Sequence, residues 1–165
     1  MIFYEEIFKA FQKQKVKYVM VGGFAVNLLG AMRSTLDLDI LAEMSDDNLE
    51  KIVRILRKHG YRVKQPIDPM KIADTETRKD WIRNKHMKAL NFYKENALEE
   101  VDIIIASPVS FEEARKSSSS IKIDDLKLPV ISIDKLIKMK KKTGRAIDKL
   151  DIKELKKIKK LKENV

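Results

Sequence analysis

Cysteine is absent from the 165 residues, which excludes disulfides and thiolate metal centres. Histidine occurs only as His59 and His86, too sparse a supply for a zinc site, so both are assigned to packing or surface. No apolar run reaches the roughly eighteen residues that a membrane span needs, and no charged, apolar, small-residue leader opens the chain. Neither a membrane partner nor a signal peptide is expected, and a cytoplasmic location is. The lone tryptophan, Trp81, sits beside Ile82 at helical spacing, the pattern of a core anchor more than of a base-stacking surface.

What the chain has in quantity is charge. Charged residues make up 36% of it and the formal net charge is +10, which favours polyanionic partners such as nucleoside triphosphates, RNA or DNA without choosing among them. The wealth of Lys, Glu and Ile is reminiscent of thermophile compositions. The length suits one compact domain able to bury an adequate core.

Residues 19–42 hold the most informative stretch. An apolar run ends in Gly22-Gly23, a helical segment follows, and Asp37 and Asp39 then alternate with Leu38 and Ile40. Side chains two apart on a strand share a face, with Cα atoms roughly 6.6 Å apart. Two such carboxylates can converge on a hard cation, or on the cation pair used in phosphoryl and nucleotidyl transfer. Without Cβ atoms, Gly22 and Gly23 let a polyphosphate approach the backbone where strand turns into helix. Alone, an Asp-x-Asp is usually a solvated strand face and a Gly-Gly usually a turn. A third acid, Asp102, interrupts the apolar run from Val101 to Ile105, where a carboxylate is costly unless paired or bound to a cation.

Val21-Gly22-Gly23, then Asp37-Leu38-Asp39-Ile40 and later Val101-Asp102-Ile103, resembles the signature of the nucleotidyltransferase superfamily that includes DNA polymerase β. Within it, the small prokaryotic branch of minimal and AbiEii-like nucleotidyltransferases is the most similar. The segment Leu136-Ile137-Lys138-Met139-Lys140, then Gly144-Arg145, Asp148 and Asp151, resembles that branch's Lys…Arg-x-x-Asp-x-x-Asp helix. Many superfamily members carry Gly-Ser where this chain has Gly22-Gly23, and the departure leaves only backbone donors there.

The resemblance implies a nucleotidyltransferase fold of the α/β (α+β) class, a mixed β-sheet flanked by helices with a basic C-terminal helical segment. Residues 1–131 would form the core and 132–165 the helices packed on it, one compact domain overall. Asp37, Asp39 and Asp102 would be catalytic and hold Mg2+ or Mn2+. Gly22, Gly23, Arg33, Thr35, Lys140, Arg145 and Asp148 would bind the nucleotide and its phosphates, with Asp148 also able to orient a cation, activate the acceptor or simply start a helix. The reaction implied moves a nucleoside monophosphate from an NTP to a hydroxyl of RNA or tRNA, protein or a small molecule. The branch also implies a toxin role with an antitoxin partner. The alternative is a catalytically inactive domain of the same fold that binds RNA or a partner; a nuclease would use similar acids but has no need of the Gly-Gly turn.

The rest of the chain supports these segments. Phe3, Ile7, Ala10 and Phe11 predict an amphipathic first helix over 3–14. Ser45 caps a helix that Gly60 stops, and Lys51, Arg54, Arg57 and Lys58 form its solvated face. Pro66 and Pro69 mark a loop, and Asp74 to Thr77 open a helix. Residues 86–93 and 98–106 predict an antiparallel hairpin that delivers Asp102 beside the first two acids, with Glu100 on its face and Glu99 turned away. Twelve lysines between Lys135 and Lys162 flank apolar stripes of the final helices, and most belong to a solvated face.

Overall fold

The computed structural model describes residues 3–165. A short helix leads into the sheet: α1 (Glu5–Lys13) buries Ile7, Phe8 and Phe11. The first strand, β1 (Tyr18–Val21), is wholly buried and runs straight into α2 (Gly22–Leu28). The two glycines are thus the first residues of a helix, where the sequence predicts a turn ahead of it. Then come β2 (Asp37–Ala42), α3 (Asp46–Lys58) and β3 (Tyr61–Val63), with the Ser45 hydroxyl accepting from the Asn48 N–H as the cap of α3.

The segment around Pro66 and Pro69, predicted as loop, contains a 3-10 helix, Pro69–Ala73, capped by Asp68. Proline at the first helical position loses no hydrogen bond, which explains why it starts rather than prevents this turn. It is followed by α4 (Thr75–Arg83), capped by Asp74, then β4 (Ala89–Lys94), β5 (Glu100–Ile104), α5 (Phe111–Lys116), β6 (Ser119–Ile123), β7 (Leu126–Val130), α6 (Ile133–Thr143) and α7 (Ala146–Glu163). Trp81 is 3% exposed and belongs to the core. Arg78 is buried too, which the sequence did not foreshadow; its guanidinium donates to the carbonyls of Ile72 and Met44 and the Thr75 hydroxyl.

The strands form one mixed seven-stranded sheet in the order β3-β4-β5-β2-β1-β7-β6. Two pairings matter for the site. β1 runs antiparallel to β2, with Val21 opposite Asp39. β2 runs parallel to β5, with Asp37 opposite Glu100 and Asp39 opposite Asp102. Leu38, Ile40, Val101 and Ile103, the residues between those acids, are fully buried, so the strand period turns every acid to the opposite face.

Tyr4 ties the beginnings of β2 and β5 together. Its hydroxyl accepts from the Glu100 N–H at 3.0 Å and reaches the carbonyls of Leu36 and Glu100. Burial first, then the neighbouring acids Asp37, Glu99 and Glu100, push this phenol up to about 12 against the lowering contact with the Glu100 backbone. Leu136 and Ile137 of α6 and Leu155 of α7 lie in the same buried cluster as the sheet.

Candidate active site

The open face of β2 and β5 collects carboxylates. Asp39 and Asp102 occupy directly opposed positions, and their side chains lie within hydrogen-bonding reach of each other. Burial, then the charge and hydrogen bond of Asp102, push the Asp39 carboxyl up to about 8. Asp37, more exposed, is also raised, by burial first and then by Glu100 and Asp102, with Lys64 and Arg33 acting in the other direction. Glu100 itself is matched by Lys64, 2.6 Å away. Glu99 points away from this face, accepting from the Tyr61 hydroxyl, as the two-residue period predicts.

This donor set fits a divalent cation. Two carboxylates held against each other, one of them driven to keep its proton, are the arrangement a hard divalent ion relieves. Asp37 lies on the same face, yet among the described residues no three acidic or imidazole side chains are already gathered to hold one ion.

The glycine bend is built around these groups. Gly22 has φ 68°, and a Cβ there would fall 2.0 Å from Asp39 Oδ2. Both the left-handed backbone and the close approach of Asp39 require glycine. A Cβ on Gly23 would fall 2.2 Å from Arg33 Nη1 and 3.0 Å from Thr35 Oγ1. Arg33 and Thr35 therefore lie directly over the bend, a cation and a hydroxyl at the backbone where phosphate contact is expected. Gly22→Ala is expected to cost about 1–2 kcal/mol from the backbone alone and to dislodge Asp39, so that transfer falls further than stability does. Urea denaturation alongside initial rates checks this.

The C-terminal motif reaches the same place. Lys140 is buried and donates to Asp151 at 2.8 Å, with Asp148 at 3.6 Å. Arg33 pairs with the same Asp151 at 3.1 Å, so one carboxylate links the loop before β2 to α6 and α7. Asp148 starts α7: it accepts from the Arg145 N–H at 3.1 Å, from Arg145 Nε at 2.9 Å and from the Thr143 hydroxyl at 2.7 Å. Burial raises its carboxyl, but the hydrogen bonds of Arg145 and Thr143 outweigh that and hold it at about 2. It thereby both caps the helix and orients Arg145. Lys140 and Arg145 each lie close enough to Asp39 to act on its charge or be acted on by it.

All ten residues singled out in the sequence thus fall in one connected region, through β-sheet register for the acids and through Asp151 for the cations. Three neighbours carried no signal strong enough to find from sequence. Asp151 was legible only as part of a motif, and its partners Arg33 and Lys140 lie far away along the chain. Asn91, on β4 opposite Asp102, donates to Asp102 Oδ1 at 2.7 Å. Gln65, in the loop after β3, holds Asn91.

Comparison with known proteins points the same way. The family model described as aminoglycoside-2''-adenylyltransferase matches residues 4–157. The fold is similar to that of the lincosamide antibiotic adenylyltransferase LnuA with lincomycin bound, at TM-score 0.62 and 21% identity, over 92% of this chain and 93% of that one. It is similar to ANT(2'')-Ia in complex with adenylyl-2''-tobramycin, at TM-score 0.59 and 15% identity, over 96% and 92%. It is also similar to an antigenic nucleotidyltransferase-like protein from Paracoccidioides brasiliensis, at TM-score 0.56 and 14% identity, over 94% and 72%. No curated protein sequence matches the chain.

Proposed function

Because the chain belongs to the aminoglycoside-2''-adenylyltransferase family, and is therefore a nucleotidyltransferase, we propose that it transfers AMP from ATP to a hydroxyl of a small cationic acceptor. The observation that carries this reading is the opposed pair Asp39 and Asp102, with Asp39 seated against Gly22. The acids and the glycine bend meet there, beneath Arg33 and Thr35.

Mg2+ or Mn2+ held by Asp37, Asp39 and Asp102 would supply neutralisation of phosphate charge and polarisation of the reacting oxygens. The chain's own groups do the rest. The backbone at Gly22 and Gly23 lets the triphosphate lie close, while Arg33 and Thr35 face it from the loop before β2. Arg145, the more exposed cation of the C-terminal motif, meets charge developing on the departing phosphates. Lys140 is committed to Asp148 and Asp151, and acts by holding that motif together beside Asp39. The acceptor hydroxyl oxygen forms its bond to the α-phosphorus, the bond from that phosphorus to the α,β-bridging oxygen breaks, and pyrophosphate leaves with that oxygen and its electron pair. The hydroxyl proton passes to the Asp102 carboxylate and then to solvent. In this reading residues 132–165 belong to the catalytic unit.

The family match favours a small-molecule acceptor over the RNA, tRNA and protein acceptors, and over the toxin role with its antitoxin, that the AbiEii-like resemblance implies. Among the described residues no helix is long and apolar enough to cross a membrane. The test is incubation with α-labelled ATP and Mg2+ in the presence of tobramycin, lincomycin or total tRNA. Label is expected on an amine-bearing small molecule. Label on RNA or on protein alone would overturn the acceptor class, and no labelled product anywhere would favour the inactive binding module.

A further inference from the structure

Asp102 lies between two neighbours of different character. On the β2 side stands Asp39, and on the β4 side stands Asn91. The Asn91 amide is oriented from both ends. Toward Asp102 it presents Nδ2, 2.7 Å from Oδ1, since a carboxylate oxygen accepts. Its Oδ1 is then left to accept from Gln65 Nε2, at 2.6 Å. The Gln65 amide is in turn set by the backbone of β4: its Oε1 accepts from the Asn91 N–H at 3.1 Å, and its Nε2 also donates to the Ala89 carbonyl at 3.3 Å. The Lys64 N–H donates to the Asn91 carbonyl at 2.8 Å, which keeps this loop alongside the strand. The chain of donors therefore runs in one direction, from the β4 backbone through Gln65 and Asn91 to Asp102, with no amide free to flip without losing partners at both ends.

Resting on the cation-binding reading of the acids above, we propose that Asn91, held by Gln65, is a positioning residue that fixes the Asp102 carboxyl in the orientation needed to bind the cation. A carboxylate hydrogen-bonded on one oxygen keeps a single rotamer and offers its second oxygen to the ion. Outer partners of this kind set metal affinity by about 10–100-fold when lost. A residue acting only on the fold would lower stability without selecting the metal. Asn91 acts on the metal, because its one side-chain donor contact is to a ligand.

The test measures Mn2+ affinity by electron paramagnetic resonance for the wild type, Asp102→Asn, Asn91→Ala and Gln65→Glu, with thermal melting in the absence of Mn2+ as the control for folding. Gln65→Glu keeps size and the acceptor for the Asn91 N–H, but replaces the donor facing Asn91 Oδ1 with a repelling oxygen. Asn91→Ala is expected to weaken Mn2+ binding about tenfold or more, and Gln65→Glu to weaken it in the same direction while the cation-free protein still melts in one cooperative transition. If Asp102→Asn loses Mn2+ while Asn91→Ala and Gln65→Glu bind as tightly as wild type, the positioning role is overturned and the cation site stands. If Asp102→Asn binds as tightly as wild type, the cation site itself is overturned. Should Asn91→Ala fail to fold, Gln65→Glu alone decides.

Discussion

Asp39→Asn is expected to lower the rate of nucleotidyl transfer by about 10^2- to 10^3-fold, the scale on which removing one fixed electrostatic stabiliser acts, while leaving the fold as stable as before or more so. The two effects come from one cause. Burial and the adjoining Asp102 hold the Asp39 carboxyl up at about 8, so its ionised form is a burden on the cation-free fold. In the unfolded chain the same group ionises near its ordinary value of about 4. Between those two values the folded state binds the extra proton, and stability from this group is present below pH ~4 and is lost progressively as pH rises to about 8. Asparagine carries no such charge and can donate to Asp102. Melting across that pH range should therefore show wild type and variant converging at the acid end, with the variant equal or higher at the alkaline end. Mn2+ reverses the order: it should raise the wild-type melting temperature more at pH 8 than at pH 6, because it need not displace a proton, and leave the variant largely unmoved. A variant that keeps near wild-type transfer would remove Asp39 from the site.

Lys140→Met is expected to destabilise the protein by about 3–5 kcal/mol, the usual consequence of removing one partner from a buried charge cluster. Lys140 is 5% exposed, Asp151 4% and Asp148 1%, so two carboxylates would be left in the interior, one of them shared with Arg33. Arg145 and Thr143 continue to satisfy Asp148, which places most of the loss on Asp151. The double variant Lys140→Met, Asp151→Leu should recover only the part lost through the unpaired Asp151 carboxylate, since Arg33 then lacks its partner, and it should not recover the activity. Urea denaturation of the single and double variants decides; a loss confined to activity in Lys140→Met would show that the lysine is held for the nucleotide and not for the fold.

The contrast between Asp39 and Lys140 also explains what the sequence could reveal. Asp37, Asp39 and Asp102 were legible because a strand imposes a two-residue period: acids alternating with Leu38, Ile40, Val101 and Ile103 can only share the solvent face. The glycine bend was legible as a motif, yet its physical reason was not. That Gly22 must lack a Cβ because Asp39 lies against it depends on Val21 facing Asp39 across two strands, a register no local pattern specifies. Lys140 was readable as a family cation, but its commitment to Asp151 and Asp148 is a tertiary fact that only the docking of α7 creates. Asn91 and Gln65 stayed hidden for the same reason: each is an ordinary amide until β4 is laid beside β5. The 3-10 helix at Pro69–Ala73 has no clear local signature, because a proline at the first helical position looks the same in sequence as a loop breaker.

The proposed site requires Asp39 and Asp102 to bind the cation that meets a triphosphate at Gly22 and Gly23. Crystals grown with Mn2+ and a non-hydrolysable ATP analogue test it directly through the anomalous signal of the metal. The expected result is a manganese peak bonded to carboxylate oxygens of Asp39 and Asp102, Asp37 beside them, and phosphate oxygens against the backbone of the glycine bend with Arg33 turned toward them. Manganese and nucleotide bound elsewhere, with Asp39 and Asp102 still in contact and Arg33 still lying over Gly23, would contradict it.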